Sequence, residues 1–531
     1  MTCIYRFDRM KKKKFPQKKA GDETMKIPFS DGKPLEKSNR LCVSQKGLAR
    51  ALIILFCLML VPLVLIAFYN YPADDDFPYT YAASLAWLET GSLWAAARAI
   101  VEKMVSYYQN HFGLFMHPLY NATNTLIFGV QYYFLNNWYV LALICLSVGY
   151  FLKGVLCRLL GAGKSAFWIV YVAVMVLVLQ FMPCIGEGVY WHAGSNHTFS
   201  AMMLLLLLGL LIRTHFEQSR PRAIWRMACM VVCCACVGAV EYSTMLGGAV
   251  LLALLTLWSH GLKSKSRPYF VFSLCVLAVV IVIFALSPGN AKRQAVVGDP
   301  LPPVQAVVIS VLDSFDLAGQ WLSPHLFAML MLIVPVMWKP LRDSPFRFAH
   351  PMLAFMTGYG LFSAALVPGV YSNYGYGAGR YMNVLFFYFL VMAIGSVLYL
   401  EGSLIRYLQQ HETEENASLL KALAHLGERF TALHLALCVF FLALGGLSTT
   451  IMNKSSLSAI QSLVTGEAAQ FRAEMAEREE YIRVTDSDVV DVRPLSVRPY
   501  VFKDDKLPWQ GIYGTVRYMK WYFEAHYEGE P

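Results

Sequence analysis

Charge is what this chain has least of. Charged residues make up 15% of its 531, against 57% hydrophobic, which excludes both a string of soluble domains and an intrinsically disordered chain. A basic face is also missing. The 45 Lys+Arg exceed the 35 Asp+Glu by 10, but the excess gathers at the N-terminus and in a few short loops, so no nucleic-acid partner is expected. Cysteine builds no framework: Cys57, Cys145, Cys157, Cys229, Cys233, Cys234, Cys236, Cys275 and Cys438 lie in or beside apolar runs, where they read as buried thiols. No cysteine follows Cys438, so the long C-terminal segment has no disulfides of its own. The run Cys229, Cys233, Cys234, Cys236 lacks the paired spacing of a zinc site. No H-E-x-x-H frames His192 and His197, and Gly161-Ala162-Gly163-Lys164-Ser165 lacks the spacer of a nucleotide-binding loop.

Long apolar runs are what the chain does have. Residues 51–69 are uncharged and match the roughly 20 residues a helix needs to cross a bilayer. The first 50 residues hold fourteen Lys/Arg, and no small-residue cleavage site follows the apolar run, only Phe68, Tyr69 and Tyr71; this is an anchor rather than a signal peptide. Residues 1–48 therefore read as a basic cytoplasmic tail attracted to anionic lipid. Further runs at about 135–156, 166–183, 198–213, 227–240, 243–259, 269–287, 322–338, 350–368, 381–400 and 431–449 bring the expectation to about eleven spans. With the N-terminus inside, the inner loops collect Lys153, Arg158 and Lys164, then Arg213 to Arg226, Lys263 to Arg267, Lys339 to Arg347, and Arg406 to Arg429. The outer loops hold far fewer, and this asymmetry supports the alternation.

The expected fold is an all-α polytopic membrane protein: a multi-pass domain over 49–449, with a first outer loop at 70–134 and a small extracytoplasmic α+β appendage over 450–531. Within the first loop, Trp87, Leu93, Trp94, Ala97, Ile100, Val101, Met104 and Tyr108 recur near helical period and predict interfacial helices. Residues 304–321, with Asp313 and Asp316 on one face, read as another helix lying on the membrane. In the appendage a charged helix precedes a Val/Asp alternation around 482–502, which predicts strand.

This topology sorts the polar motifs onto one side. Asp74, Asp75 and Asp76 follow the first span directly; three adjacent carboxylates suit a general base or a divalent-cation site, or form a solvated acidic turn. The second outer loop carries Glu187, Tyr190, Trp191, His192 and His197 among glycines: titratable groups beside rings that stack on a sugar or belong to the interfacial aromatic belt. Glu241 interrupts an apolar run, where an ionisable group needs a role or a partner. Pro288-Gly289-Asn290 leads to Arg293, and a Gly/Tyr-rich stretch containing Tyr376 ends in Arg380; both arginines suit a phosphate clamp or an ion pair with the acidic loop.

Taken together, the acidic first loop, its interfacial helices, the many spans and the outer C-terminal segment resemble the GT-C superfamily, multi-pass glycosyltransferases that use polyprenyl-phosphate-linked sugars. The order of the acidic loop, Tyr190-Trp191-x-x-Gly194, Pro288-Gly289-Asn290 and Gly379-Arg380 also resembles an uncharacterised bacterial family of such membrane proteins. The resemblance implies transfer of a sugar from the lipid carrier to a glycan, lipid or protein acceptor on the outer leaflet of the cytoplasmic membrane. One of Asp74 to Asp76 would act as base or bind a divalent cation, and Arg293 or Arg380 would hold the lipid phosphate. A transporter or flippase of lipid-linked glycans and an envelope glycan polymerase or ligase are the rival readings. A transporter is expected to carry polar groups at midplane on several helices, whereas these spans are mostly apolar.

Overall fold

The computed structural model describes residues 42–261, 266–372, 379–411, 413–448, 454–485, 493–503 and 513–527. Most of the basic N-terminal tail and Tyr376 lie outside the described residues.

The protein is an all-α membrane protein. Its first helix, α1 (Gln45–Ile66), starts where the Ser44 side chain accepts the Gly47 N–H, and it runs for 22 residues with no acidic group in its first turn and no basic group in its last. It is followed by α2 (Asp76–Thr90), α3 (Leu93–Asn110), α4 (Met116–Ala122), α5 (Phe134–Leu152), α6 (Lys164–Gln180), α7 (His192–His215), α8 (Arg220–Ala239), α9 (Tyr242–Gly261) and α10 (Arg267–Ala285). Then come α11 (Pro288–Val297), α12 (Pro303–Trp321), α13 (Pro324–Asp343), α14 (Pro351–Tyr371), α15 (Gly379–Gln410), α16 (Glu414–Glu428) and α17 (Ala432–Ser448). Three helices, α18 (Ser455–Val464), α19 (Glu467–Val484) and α20 (Tyr513–Tyr527), form the C-terminal segment.

Among the described residues nine helices are long and apolar enough to cross a membrane, and α6 and α17 are apolar but shorter. These eleven coincide with the runs read from the sequence. Their apolar residues face outward as well as inward: Ile54, Leu58 and Val61 on α1, Leu257 and Trp258 on α9, and Val279 and Val282 on α10 are exposed. A helix apolar all round is stable only where its outer face meets lipid or protein.

Helix α1 packs on α6 and α18, α5 on α7, α7 on α8, α9 on α10 and α14, and α14 on α15. At one end of this bundle the starts of α5, α7, α9 and α15 meet the acidic loop, α2 to α4, α11 and the C-terminal segment. At the other end the strand Cys42–Ser44 pairs antiparallel with Arg429–Thr431, and Arg406 donates to the Leu341, Arg342 and Ser344 carbonyls at the end of α13.

One expectation changes, that of strand in the C-terminal appendage. The run 304–321 forms α12, which is not among the helices apolar enough to cross a membrane; its Ala306, Ser310 and Ser314 are buried, and Ser314 Oγ hydrogen-bonds Tyr359 Oη and Ser363 Oγ on α14 at 2.7 Å each. Small side chains let the two helices approach, and the Ser314 hydroxyl finds its partners across the contact. The appendage shows no strand among its described residues; the helix predicted there is α19, and it extends through 484 into the alternating stretch, whose residues 486–492 lie outside the described set. The apolar run at 227–259 does break into two helices, and Glu241 sits at the break.

Glycines mark where this fold has no slack. A Cβ at Gly113 would stand 2.2 Å from the Phe284 carbonyl oxygen, whereas Gly395 has nothing within 4 Å. Gly113→Ala is therefore expected to lower the stability of the detergent-solubilised protein by about 1–3 kcal/mol, read as a fall in apparent Tm, while Gly395→Ala leaves it unchanged.

Candidate functional site

The acidic loop is built around Asp76, which is 0% exposed. Its Oδ2 accepts the Ala73 N–H at 3.1 Å and the Tyr133 hydroxyl at 2.6 Å; its Oδ1 accepts Asn124 Nδ2 at 3.1 Å and the Ala193 N–H at 3.0 Å. These four donors come from the loop itself, from the approach to α5 and from the first turn of α7, where free N–H groups favour an anion. Burial pushes the Asp76 carboxyl up to about 7, and the donors from Tyr133, Ala73 and Ala193 pull against it. Every good acceptor direction of this carboxylate is used.

Asp74 turns the other way. Its backbone lies in the left-handed region at φ 43°, and its carboxylate forms an ion pair with Lys503 of the C-terminal segment. Asp75 is left as the exposed member of the three, and its side chain has no hydrogen bond or ion pair to the described residues. The protein mass around it raises its carboxyl, and the charges of Arg380 and His111 lower it again in part. The triplet therefore separates into a surface ion pair, an exposed acid and a buried staple. Among the described residues no three His, Cys, Asp or Glu side chains gather as a cation would need, and the divergence of the three carboxylates does not fit a shared divalent ion.

The second loop is positioned by buried amides. Asn383 on α15 accepts the Cys184 N–H at 2.9 Å and donates to the Cys184 carbonyl at 2.7 Å; Asn137 on α5 donates to the Val189 and Tyr190 carbonyls at 3.1 Å each. Glu187 Oε2 accepts the Arg380 N–H at 2.8 Å, capping the start of α15. This contact sets where Arg380 leaves the helix, and its guanidinium lies 5.0 Å from the centre of the Trp191 ring. Trp191 in turn donates from Nε1 to the Ala73 carbonyl at 3.0 Å.

Other residues expected in the site have structural work. Tyr190 is buried and donates its hydroxyl to the Leu63 carbonyl at 2.8 Å, so it offers no open ring to a sugar. His192 is buried and stacked on Tyr120, with ring centres 4.7 Å apart. Glu241 caps α9 by accepting the Ser243 and Thr244 N–H groups, which offsets the cost of a buried carboxylate there. Asn290 accepts the Gly113 N–H at 2.8 Å and donates to the Phe284 carbonyl at 2.7 Å, clamping the end of α3 to α10. His197 hydrogen-bonds its neighbour Asn196.

This clamp brings Arg293, on α11, to 5.4 Å from the centre of the Phe112 ring and beside His111. Among the described residues neither Arg293 nor Arg380 is in an ion pair. Both charges reach His117, whose ring is pushed down to about 4, first by burial and then by Arg380, Arg293 and His111. His111 is also lowered, by burial and then by Arg293, with Asp75 opposing. Lys103 adds a further cation, 5.0 Å from the Tyr107 ring centre, and Tyr79 and Tyr107 stand near enough to Asp75 to feel its charge. One end of the bundle thus holds two arginines and a lysine around a single exposed carboxylate.

The sequence reading missed His111, His117, Lys103 and Lys503. Lys103 sits in the amphipathic stretch, where helical periodicity accounts for it without a site, and His111 and His117 lie just beyond it; Lys503 is more than 400 residues from the loop it meets. Comparison with protein-family models, with curated proteins and with solved structures gives no match for this chain.

For the linkage of Asp76, the folded carboxyl is raised from 3.8 to about 7. Its contribution to stability is fully present below the unfolded value and is lost as pH rises through the folded one. Apparent Tm should therefore fall between about pH 4 and pH 7 and level off above that. Asp76→Asn should remove that component and, by setting an N–H₂ against donors, cost on the order of 3 kcal/mol.

Proposed function

We propose that the protein is a membrane glycosyltransferase that moves a sugar from a polyprenyl-phosphate carrier to a glycan, lipid or protein acceptor. The observation that carries this reading is the pairing of one unengaged carboxylate, Asp75, with two guanidinium groups that have no carboxylate partner among the described residues, Arg380 and Arg293. Unneutralised cations that depress the protonation of neighbouring histidines are a site short of an anion, and a phosphate supplies it.

In this mechanism Asp75 accepts the proton of an acceptor hydroxyl as its oxygen attacks the anomeric carbon. The bond from that carbon to the phosphate oxygen breaks, the electron pair leaves with the phosphate, and the configuration inverts. Arg380 and Arg293 stabilise the negative charge of the departing phosphate, where fixed cations act without reorganising. A raised Asp75 is a stronger base than an ordinary aspartate, which suits it to take a proton from a hydroxyl. No divalent cation enters the scheme.

The same reading sets eleven spans in a bacterial cytoplasmic membrane, with the basic N-terminus inside and the site and C-terminal segment outside, following the loop charges. Exposed apolar side chains on α3, led by Trp94 at 81%, suit a helix resting on that outer surface. A transporter or flippase of lipid-linked glycans draws on one observation: Glu401, buried within α15, has no hydrogen-bond partner for either oxygen among the described residues. The polymerase or ligase reading uses the same chemistry as the transferase.

Asp75→Asn is expected to reduce transfer by about two to four orders of magnitude without lowering stability, since Asp75 holds nothing in place. Mass spectrometry of surface glycans and lipid-linked intermediates, in a deletion strain complemented with either form, checks this. Loss of one sugar with wild-type protein abundance supports the transferase. Full restoration by the variant removes Asp75 from the chemistry and moves the transporter ahead. In vitro, the wild-type rate should fall as pH drops through an Asp75 value above the ordinary 3.8.

A further inference from the structure

Among the described residues, Lys503 brings the C-terminal segment to the acidic loop. Lys503 forms an ion pair with Asp74, and its Nζ lies 3.7 Å from the centre of the Trp191 ring, the same ring that carries Arg380 at 5.0 Å. The indole is therefore shared by two cations, one from α15 and one from the segment that follows the last span. The approach is built into the backbone: a Cβ at Gly186 would stand 2.4 Å from the Phe502 carbonyl oxygen and 3.1 Å from the Lys503 nitrogen, so only glycine lets the segment lie against the second loop. Upstream, Arg472 on α19 donates to the Phe68 carbonyl at 2.8 Å, fixing the same segment to the end of α1.

We propose that Lys503 is a positioning residue of the site: it holds Asp74 away from Asp75 and presses Trp191 against Arg380, so that one carboxylate and one guanidinium are presented together. The role rests on the reading of Asp75 and Arg380 as the working pair; the contacts themselves do not. Asp74 in the left-handed region is the strained residue of the loop, and the ion pair is what keeps it there. Without Lys503, a second unpaired carboxylate stands next to Asp75, and Trp191 loses one of the two charges that hold its face. The C-terminal segment is then a part of the site rather than a cover over it.

Chemical footprinting of the full-length solubilised protein, read peptide by peptide by mass spectrometry, tests this without any turnover. A carbodiimide with an amine labels carboxyls, and phenylglyoxal labels arginines. In the wild type Asp74 should label slowly and Asp75 readily. In Lys503→Met, Asp74 labelling should rise about tenfold, because an adjacent opposite charge keeps a carboxyl in its unreactive ionised form, and Arg380 should modify faster. Gly186→Ala should act like Lys503→Met, and Lys503→Arg should retain the wild-type pattern, which excludes general unfolding as the cause. Equal Asp74 labelling in wild type and Lys503→Met overturns the pairing; freed Asp74 with unchanged Arg380 overturns the positioning role. Inorganic pyrophosphate, added as a probe, should protect Arg380 in the wild type. Absence of that protection counts against the phosphate reading alone, because the Asp74 and Arg380 responses to Lys503→Met are measured without it.

Discussion

The carboxylate of Asp76 is the point on which the end of the bundle that carries the acidic loop depends. It accepts from its own loop, from Asn124, from Tyr133 ahead of α5 and from the first turn of α7. A buried carboxylate without donors would be expelled or neutralised. Supplied with four, it becomes a fixed node, and the helix N-terminus beneath it favours its charge. Because these segments come from distant parts of the chain, the node ties the first outer loop to two membrane helices in a single geometry. Asp74 and Asp75 are then forced outward, since the backbone on either side of Asp76 is spoken for.

Around that node the polar residues divide into those that build and those that wait. Asn383, Asn137, Glu187, Glu241 and Asn290 each satisfy backbone groups that would otherwise be orphaned at a helix start or in a buried turn. Asp75, Arg380 and Arg293 do none of this with their side chains. Groups left uncompensated within a well-satisfied surround are the usual mark of a binding or catalytic site, because stability alone would have paired them. The depressed His117, facing both arginines, registers the same imbalance from a neighbouring position.

How much of this was legible in the sequence varies with the length scale of the physics. The apolar runs were legible because a bilayer imposes one length and one composition on every crossing helix, and 51–69, 269–287 and 381–400 all obey it. The break at Glu241 was legible for the same reason. The rings and acids of the second loop were noticed, but their roles were not: Tyr190 looks like a sugar-stacking ring and His192 like a titratable group in one dimension, and both are buried supports in three. Asp313 and Asp316 marked α12 as a surface helix, but nothing local showed that the Ser314 hydroxyl on its other side serves a contact with α14. His111, His117 and Lys503 gave no signal, since each acquires meaning only from what it faces.

The sequence by itself determined that the chain lives in a membrane, and roughly where its long apolar helices run. Those follow from hydropathy, charge and local backbone preference, which act over a few turns of helix. Only the tertiary structure decided which of three adjacent aspartates is free, that Arg380 and Arg293 converge, and that the C-terminal segment delivers Lys503 to the same place. Those outcomes turn on hydrogen bonds and ion pairs between residues tens to hundreds of positions apart, and the strength of such contacts depends on distance and burial in the folded chain.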